Sequence, residues 1–144
     1  MKILENKNIF DTKCQCIVNT INCVGVMGKG LAKECATRYP EMLVKYKRLC
    51  NDKLIRPGIL WLWKAQDKWI LNFPTKDHWR YSSQYEWIEL GLKKFADTYK
   101  EKKITSIAFP MLGCSNGGLN KDKVMILMKH YLENLKDIEI EIYV

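Results

Sequence analysis

No apolar run in the sequence approaches the ~20 residues that a membrane-spanning helix needs. The opening MKILENKNIF carries charges where a secretory signal requires an unbroken apolar core. Repeats, low-complexity tracts and linker-like stretches are also missing, so a single domain over residues 1–144 is expected. Histidine is scarce, with only His78 and His130. The one C-x-C pair, Cys14 and Cys16, has neither a second pair nor a nearby histidine to complete a zinc set. These gaps argue against a membrane protein and against a metal site. The expectation they leave is a cytoplasmic, monomeric domain with no cofactor.

Cysteine itself is not scarce: there are 6, at positions 14, 16, 23, 35, 50 and 114. A chain that carries no secretory signal, and is long enough to bury a core unaided, is expected to keep them as thiols. Cys16 is expected to fill a strand position as a small hydrophobe. Hydrophobic residues make up 47% and charged residues 28%, the balance of an ordinary soluble globular protein. Lysine and arginine number 24 against 16 aspartate and glutamate, a formal charge of +8. Solvated lysine faces give such a charge without any function. A basic surface also attracts polyanions, nucleic acid foremost among them.

Short apolar runs alternate with helical patterns. Residues 1–10 read as a first strand and turn, and Cys16–Asn19 as a buried strand. Leu31, Cys35, Met42, Tyr46 and Leu49 follow helical spacing, with Pro40 acceptable in the first turn of a second helix. Residues 59–73 read as two strands around the polar turn Ala65–Lys68. A helix is predicted from about Ser83 to Lys100, with Tyr85, Ile88, Leu92, Phe95 and Ala96 on one face. The strand Ile104–Phe109, a helix from about Lys121 to Leu135 and the strand Ile138–Tyr143 complete the chain. This alternation predicts a layered α/β domain around a mixed sheet.

Two glycine loops stand between a buried strand and a helix: Gly25-Val-Met-Gly28-Lys-Gly30 and Gly113-Cys-Ser-Asn-Gly-Gly118. Ligands in such folds collect at the carboxyl ends of strands, over helix N-termini. Glycine lets backbone N–H groups close on phosphate oxygens, and the helix terminus adds partial positive charge. Two such loops are suited to grip a diphosphate from both sides. Their spacing matches neither G-x-G-x-x-G nor the G-K-[ST] ending of a P-loop. A tight strand-to-helix turn explains either loop taken alone.

The segments "IVNTINCVGVMGKGLA", "NFPTKDHWR" and "PMLGCSNGGL" together resemble the macrodomain family, over nearly the whole chain. Within that family they are most similar to the branch of DNA ADP-ribosyl glycohydrolases typified by the antitoxin DarG. The resemblance implies a three-layer α/β/α sandwich with a mixed central sheet that binds ADP-ribose. It implies that Asn22 bonds the distal ribose, and that Gly28, Lys29 and Gly30 bring backbone N–H groups to that ribose and the diphosphate. Pro110 would open the opposing phosphate loop, Gly113, Cys114, Ser115, Asn116, Gly117, Gly118 and Leu119. Asn8 and Ile9 would lie beside the adenine.

Two departures from the common family pattern stand out. Lys7-Asn8-Ile9-Phe10 occupies the offset of a G-D-I-[TV] sequence whose aspartate contacts the adenine amine, so that carboxylate is missing. Gly28-Lys29-Gly30 replaces a triple glycine and puts a cation beside the ligand. The resemblance further implies a catalytic role for Lys76, in "NFPTKDHWR"; without it, a lysine after a strand is ordinarily a solvated surface residue. As a nucleophile Lys76 would need a depressed pKa, which Lys29 would favour and a bound diphosphate oppose. As an ammonium it would stabilise or protonate a departing base, the role preferred here because the bound anion favours it.

His78 is the tempting rival, but packing is the more economical reading for it. His78, Trp79 and Arg80 are candidate nucleic-acid contacts. Trp61, Trp63, Trp69 and Trp87 are assigned to core and hairpin packing. Cys114 and Ser115 lack a base, which argues against a nucleophilic triad. The leading functional expectation is release of ADP-ribose from a DNA base, thymine first, with a DNA ADP-ribosyltransferase toxin as the partner opposed. The alternatives are a phosphatase or deacylase on small ADP-ribose derivatives, or a non-catalytic binding module.

Overall fold

The structure is a computed structural model that describes residues 1–144. In chain order it runs β1 (Lys2–Leu4), a 3-10 turn (Ile9–Asp11), β2 (Cys16–Ile21), α1 (Gly30–Arg38), α2 (Pro40–Asn51) and β3 (Trp61–Lys64). Then come β4 (Trp69–Pro74), α3 (Tyr85–Thr98), β5 (Ser106–Pro110), α4 (Lys121–Leu132) and β6 (Glu139–Tyr143). The sheet order is β1-β6-β5-β2-β4-β3, parallel throughout except for the β3/β4 hairpin.

Alternation along the central strands sorts their side chains into two cores. Cys16 and Val18 of β2 join Leu71 and Phe73 of β4 under α3 and α4, with Ile88, Leu92, Phe95, Val124, Met128 and Leu132. Ile17, Ile21 and Ile70 point the other way, against Cys35 of α1 and Met42, Tyr46 and Cys50 of α2. The result is a three-layer α/β/α sandwich, as the macrodomain resemblance implies, around the mixed sheet that the alternation of elements predicts. Strands buried on both faces read as near-continuous apolar runs, which is why they were visible.

Boundaries differ where tertiary pairing overrides local pattern. β2 runs past Asn19 because Thr20 and Ile21 pair with Phe73 and Pro74. Pro40 does sit in the first turn of α2, and the Asn120 side chain caps α4 by accepting from the Lys123 N–H at 3.1 Å. All 6 cysteines are free, and Cys16 is fully buried. No helix is long and apolar enough to cross a membrane.

The α3 face against the sheet depends on one glycine. A Cβ at Gly91 would lie 2.2 Å from Cζ of Phe73, whose ring occupies the space a side chain would take. Alanine raises helix propensity by about 1 kcal/mol, but overpacking costs about 1–3 kcal/mol and cores yield little. Gly91→Ala is therefore expected to lower the thermal midpoint despite the better helix former, which a calorimetric melt would measure.

The topology fixes where a ligand can bind. β2, β4 and β5 are parallel neighbours, so the loops at their carboxyl ends emerge on one side of the molecule. These loops carry residues 22–29, 75–84 and 111–120.

Candidate active site

The first loop is shaped by Asn22, which is 7% exposed. Its Oδ1 accepts from the N–H groups of Val24 at 3.1 Å and Val26 at 3.4 Å, while its Nδ2 donates to the Val26 carbonyl at 2.7 Å. The Tyr46 hydroxyl, rising from α2, lies 2.7 Å from the Asn22 carbonyl and 2.8 Å from its Oδ1. Burial pushes the Tyr46 phenol up, so it remains a protonated donor. One Nδ2 hydrogen of Asn22 is left for a ligand. Beyond this closed turn, Gly28, Lys29 and Gly30 lead into α1, which no side chain caps.

The second loop turns at Gly113, whose φ of +72° favours glycine, and closes with the Leu119 N–H on the Gly113 carbonyl at 2.9 Å. It faces the first: Nδ2 of Asn116 lies 3.8 Å from where a Gly30 side chain would begin. The Gly117 carbonyl accepts from the Ser83 N–H at 3.0 Å, tying this loop to the end of the third.

That third loop carries Lys76 and is stitched to the first. The Thr75 and Lys76 N–H groups reach the Ile21 carbonyl at 2.9 and 3.4 Å, and the Cys23 N–H reaches the Asp77 carbonyl at 3.1 Å. Sγ of Cys23 lies 3.4 Å from the Lys76 carbonyl. Nζ of Lys76 donates to the Trp79 carbonyl at 3.1 Å. Partial burial and the neighbouring Lys29 ammonium hold the Lys76 pKa below the ordinary lysine value.

Between the loops lies a cleft of about 520 Å³. Of the residues singled out from sequence, it is lined by Asn22, Gly28, Lys29, Gly30, Lys76, Trp79, Arg80 and Pro110, and by Gly113 through Gly117. Asn8, Ile9, His78, Gly118 and Leu119 lie outside its lining. The Asn8 side chain is occupied capping the 3-10 turn at Phe10 N–H, and Ile9 packs on the α1/α2 core. Leu119 packs on the α3/α4 core, and Nδ1 of His78 accepts from the Arg80 N–H at 3.1 Å. Burial pushes the Cys114 thiol pKa up, which disfavours a thiolate nucleophile.

Sequence reasoning missed Thr20, Ile21, Val26, Leu31, Ala32, Thr75 and Met111, which also line the cleft. Val26 gave a usable signal, an apolar residue in a glycine loop. Thr20, Ile21 and Thr75 are strand-end positions with no motif to mark them. Three cations, Lys29, Lys76 and Arg80, face the cleft and no carboxylate does. That balance suits a diphosphate. No group of histidine, cysteine, aspartate and glutamate side chains converges to hold a metal ion.

The family profile described as "Macro domain" matches residues 18–128, from β2 into α4, and so includes all three loops. The chain belongs to the macro domain family. A curated relative, the DNA ADP-ribosyl glycohydrolase of Thermus aquaticus, is 36% identical over 140 residues, 94% of this macrodomain and 39% of the relative. The solved macrodomain of Thermus aquaticus DarG superposes with a TM-score of 0.91 at 35% identity, covering 99% of this chain and 97% of that one. The structure of Thermosipho africanus DarTG in complex with ADP-ribose gives 0.89 at 35% identity, over 99% of this chain and 41% of that one. This macrodomain thus spans about two fifths of the length of the curated relatives it matches.

Proposed function

We propose that this macrodomain binds ADP-ribose and releases it by hydrolysis from a modified DNA base, thymine foremost. It acts as a monomeric cytoplasmic domain that opposes a DNA ADP-ribosyltransferase. The observation that carries the reading is Lys76, which lines a cleft whose charged residues are all cations, on a loop stitched to the glycine loop that would receive the diphosphate. Relatives named DNA ADP-ribosyl glycohydrolase, and a relative solved with ADP-ribose, support it.

In the reaction, water adds to the anomeric carbon, the bond from that carbon to the base breaks, and the base leaves with a proton. Backbone N–H groups of the two glycine loops hold the diphosphate. The Lys76 ammonium faces the departing base, stabilises the negative charge it develops and donates the proton. The proton released by the attacking water restores the lysine. Lys29 raises the acidity of Lys76, and the bound diphosphate limits that effect.

The direct test is release of ADP-ribose from an oligonucleotide carrying it on thymine, run beside ADP-ribose 1″-phosphate and an acetylated ADP-ribose. Release from DNA supports the proposal. Turnover of the small derivatives alone would assign a phosphatase or deacylase instead, and binding without any turnover a reader module.

The ammonium role fixes the sign of the pH dependence. Turnover should fall as pH rises through the Lys76 pKa, which lies below lysine's usual value of about 10.4. Lys29→Met removes the neighbouring cation, so the fall should move to higher pH. A kcat profile that instead rises with pH would assign the neutral amine as nucleophile.

A further inference from the structure

Tyr46 lies outside the cleft lining, yet its hydroxyl ends at the head of the site. On α2, Met42, Tyr46 and Cys50 follow one another at helical spacing and are all buried, Tyr46 completely. The α1/α2 core clamps the ring, and its hydroxyl emerges at the carboxyl end of β2. The turn after β2 rests directly on this helix. A Cβ at Gly25 would lie 3.6 Å from Cα of Lys47 and 3.7 Å from Cβ of Cys50. A phenylalanine would fill the same space with no polar atom to desolvate. What the hydroxyl adds is a donor, and both acceptors within its reach, the carbonyl and Oδ1 of Asn22, belong to one residue.

The Asn22 carbonyl and the Cys23 N–H are the two sides of a single peptide group. On one side that group accepts from Tyr46 at 2.7 Å; on the other it donates to the Asp77 carbonyl at 3.1 Å. A planar peptide carries orientation from one side to the other, and hydrogen bonds in such a chain polarise one another. The Cys23 thiol adds its contact with the Lys76 carbonyl at 3.4 Å. Burial and the Asp77 carboxylate push that thiol pKa up to about 12, so it stays a donor. The preceding peptide group takes the Thr75 and Lys76 N–H groups on the Ile21 carbonyl. Residues 75–77 therefore hang on two consecutive peptide groups, and Tyr46 fixes the second of them from behind.

We infer that Tyr46 is a positioning residue for Lys76, acting through the peptide group between Asn22 and Cys23. Without the hydroxyl, the buried Asn22 carbonyl loses its donor, and the peptide group tilts to find another. The tilt displaces the Asp77 carbonyl and, with it, the backbone from which the Lys76 side chain reaches the cleft. The inference rests on the glycohydrolase reading for the role of Lys76, and adds to it a residue that touches no ligand.

Tyr46→Phe is the test, at a temperature well below its melting midpoint. Single-turnover release of ADP-ribose from modified DNA should slow about tenfold or more, short of the ~10²-fold that a full 1 Å misplacement costs. Affinity for free ADP-ribose should stay within a few-fold, because the Val24 and Val26 N–H groups still hold the Asn22 carboxamide. In a Lys76→Ala background the same substitution should change the residual release by less than about twofold, since nothing is left to position. Wild-type release in Tyr46→Phe overturns the inference. So does a loss of the same factor in both backgrounds, which would assign the hydroxyl to the fold or to the ligand site.

A second readout needs no turnover. Amide hydrogen exchange followed by NMR should find the Cys23 N–H protected in wild type. In Tyr46→Phe it should exchange at least about tenfold faster, relative to amides at the centre of β2. A Cys23 N–H that exchanges in wild type like an exposed loop amide overturns the inference, whether or not Tyr46→Phe folds. Wild type that releases nothing, while its Cys23 N–H responds to Tyr46→Phe, would overturn the glycohydrolase reading and support the hydrogen-bonded chain.

Discussion

Lys76→Ala should lower release of ADP-ribose from DNA by about 10²–10⁴-fold, the range that a positioned proton donor contributes. Affinity for free ADP-ribose should stay within a few-fold of wild type. The asymmetry follows from what Lys76 touches. Its ammonium makes one hydrogen bond, to the Trp79 carbonyl, and its side chain belongs to neither core. The course of the loop is set by backbone bonds to Ile21 and Cys23, which alanine keeps. Lys29 and Arg80 still line the cleft.

Single-turnover release and titration calorimetry measure the two quantities separately. A variant that releases ADP-ribose at the wild-type rate would remove Lys76 from the mechanism. A parallel loss of release and binding would make it a binding residue. Lys76→Arg divides the role further. Guanidinium keeps the charge but does not give up its proton, so recovered release would mean charge stabilisation and continued loss would mean proton transfer.

Gly117→Ala is expected to abolish binding and turnover together, with ADP-ribose affinity falling about 100-fold or more. A Cβ at this position would lie 2.3 Å from the Gly113 carbonyl oxygen and 2.3 Å from Oγ of Ser83. One neighbour is the backbone of the phosphate loop itself; the other is a buried side chain at the entry to α3. Neither is the free end of a flexible chain, so the loop has to move. Its movement breaks the bond from Ser83 N–H to the Gly117 carbonyl and disturbs the segment that ends the Lys76 loop.

The thermal midpoint should fall too, since overpacking typically costs about 1–3 kcal/mol. Gly28→Ala is the comparison, because its Cβ would meet only Cγ1 of Val26 at 3.4 Å, an ordinary contact. That variant should keep the wild-type melting temperature. Wild-type ADP-ribose affinity in Gly117→Ala would show that the second loop does not hold the ligand.

The parts of this molecule legible in its sequence are those with a local cause. The runs in β2, β4 and β5 are apolar because helices cover both faces of the sheet. Glycines mark the two loops because the backbone turns sharply there. Ser83 shows where local reasoning stops. A serine before an amphipathic run reads as the start of a helix, yet its N–H is taken by Gly117, and α3 begins at Tyr85.

Leu31 follows helical spacing, and it packs on the α1/α2 core. It also forms part of the cleft wall, which no periodicity reveals. Asn19 and Asn72 are the least legible pair. Each interrupts an apolar strand, and only the β2/β4 register places them opposite one another, with Nδ2 of Asn19 donating to Oδ1 of Asn72 at 3.0 Å in a fully buried layer.

The carboxamide of Asn22 has a kinetic consequence. With Val24, Val26 and Tyr46 already holding it, the turn at residues 22–26 is closed as part of the fold. Its chain entropy is surrendered once, during folding, and not again at each encounter with a ligand. Association is therefore expected to need no ordering of this turn. Ligands that fit it differ mainly in how long they stay.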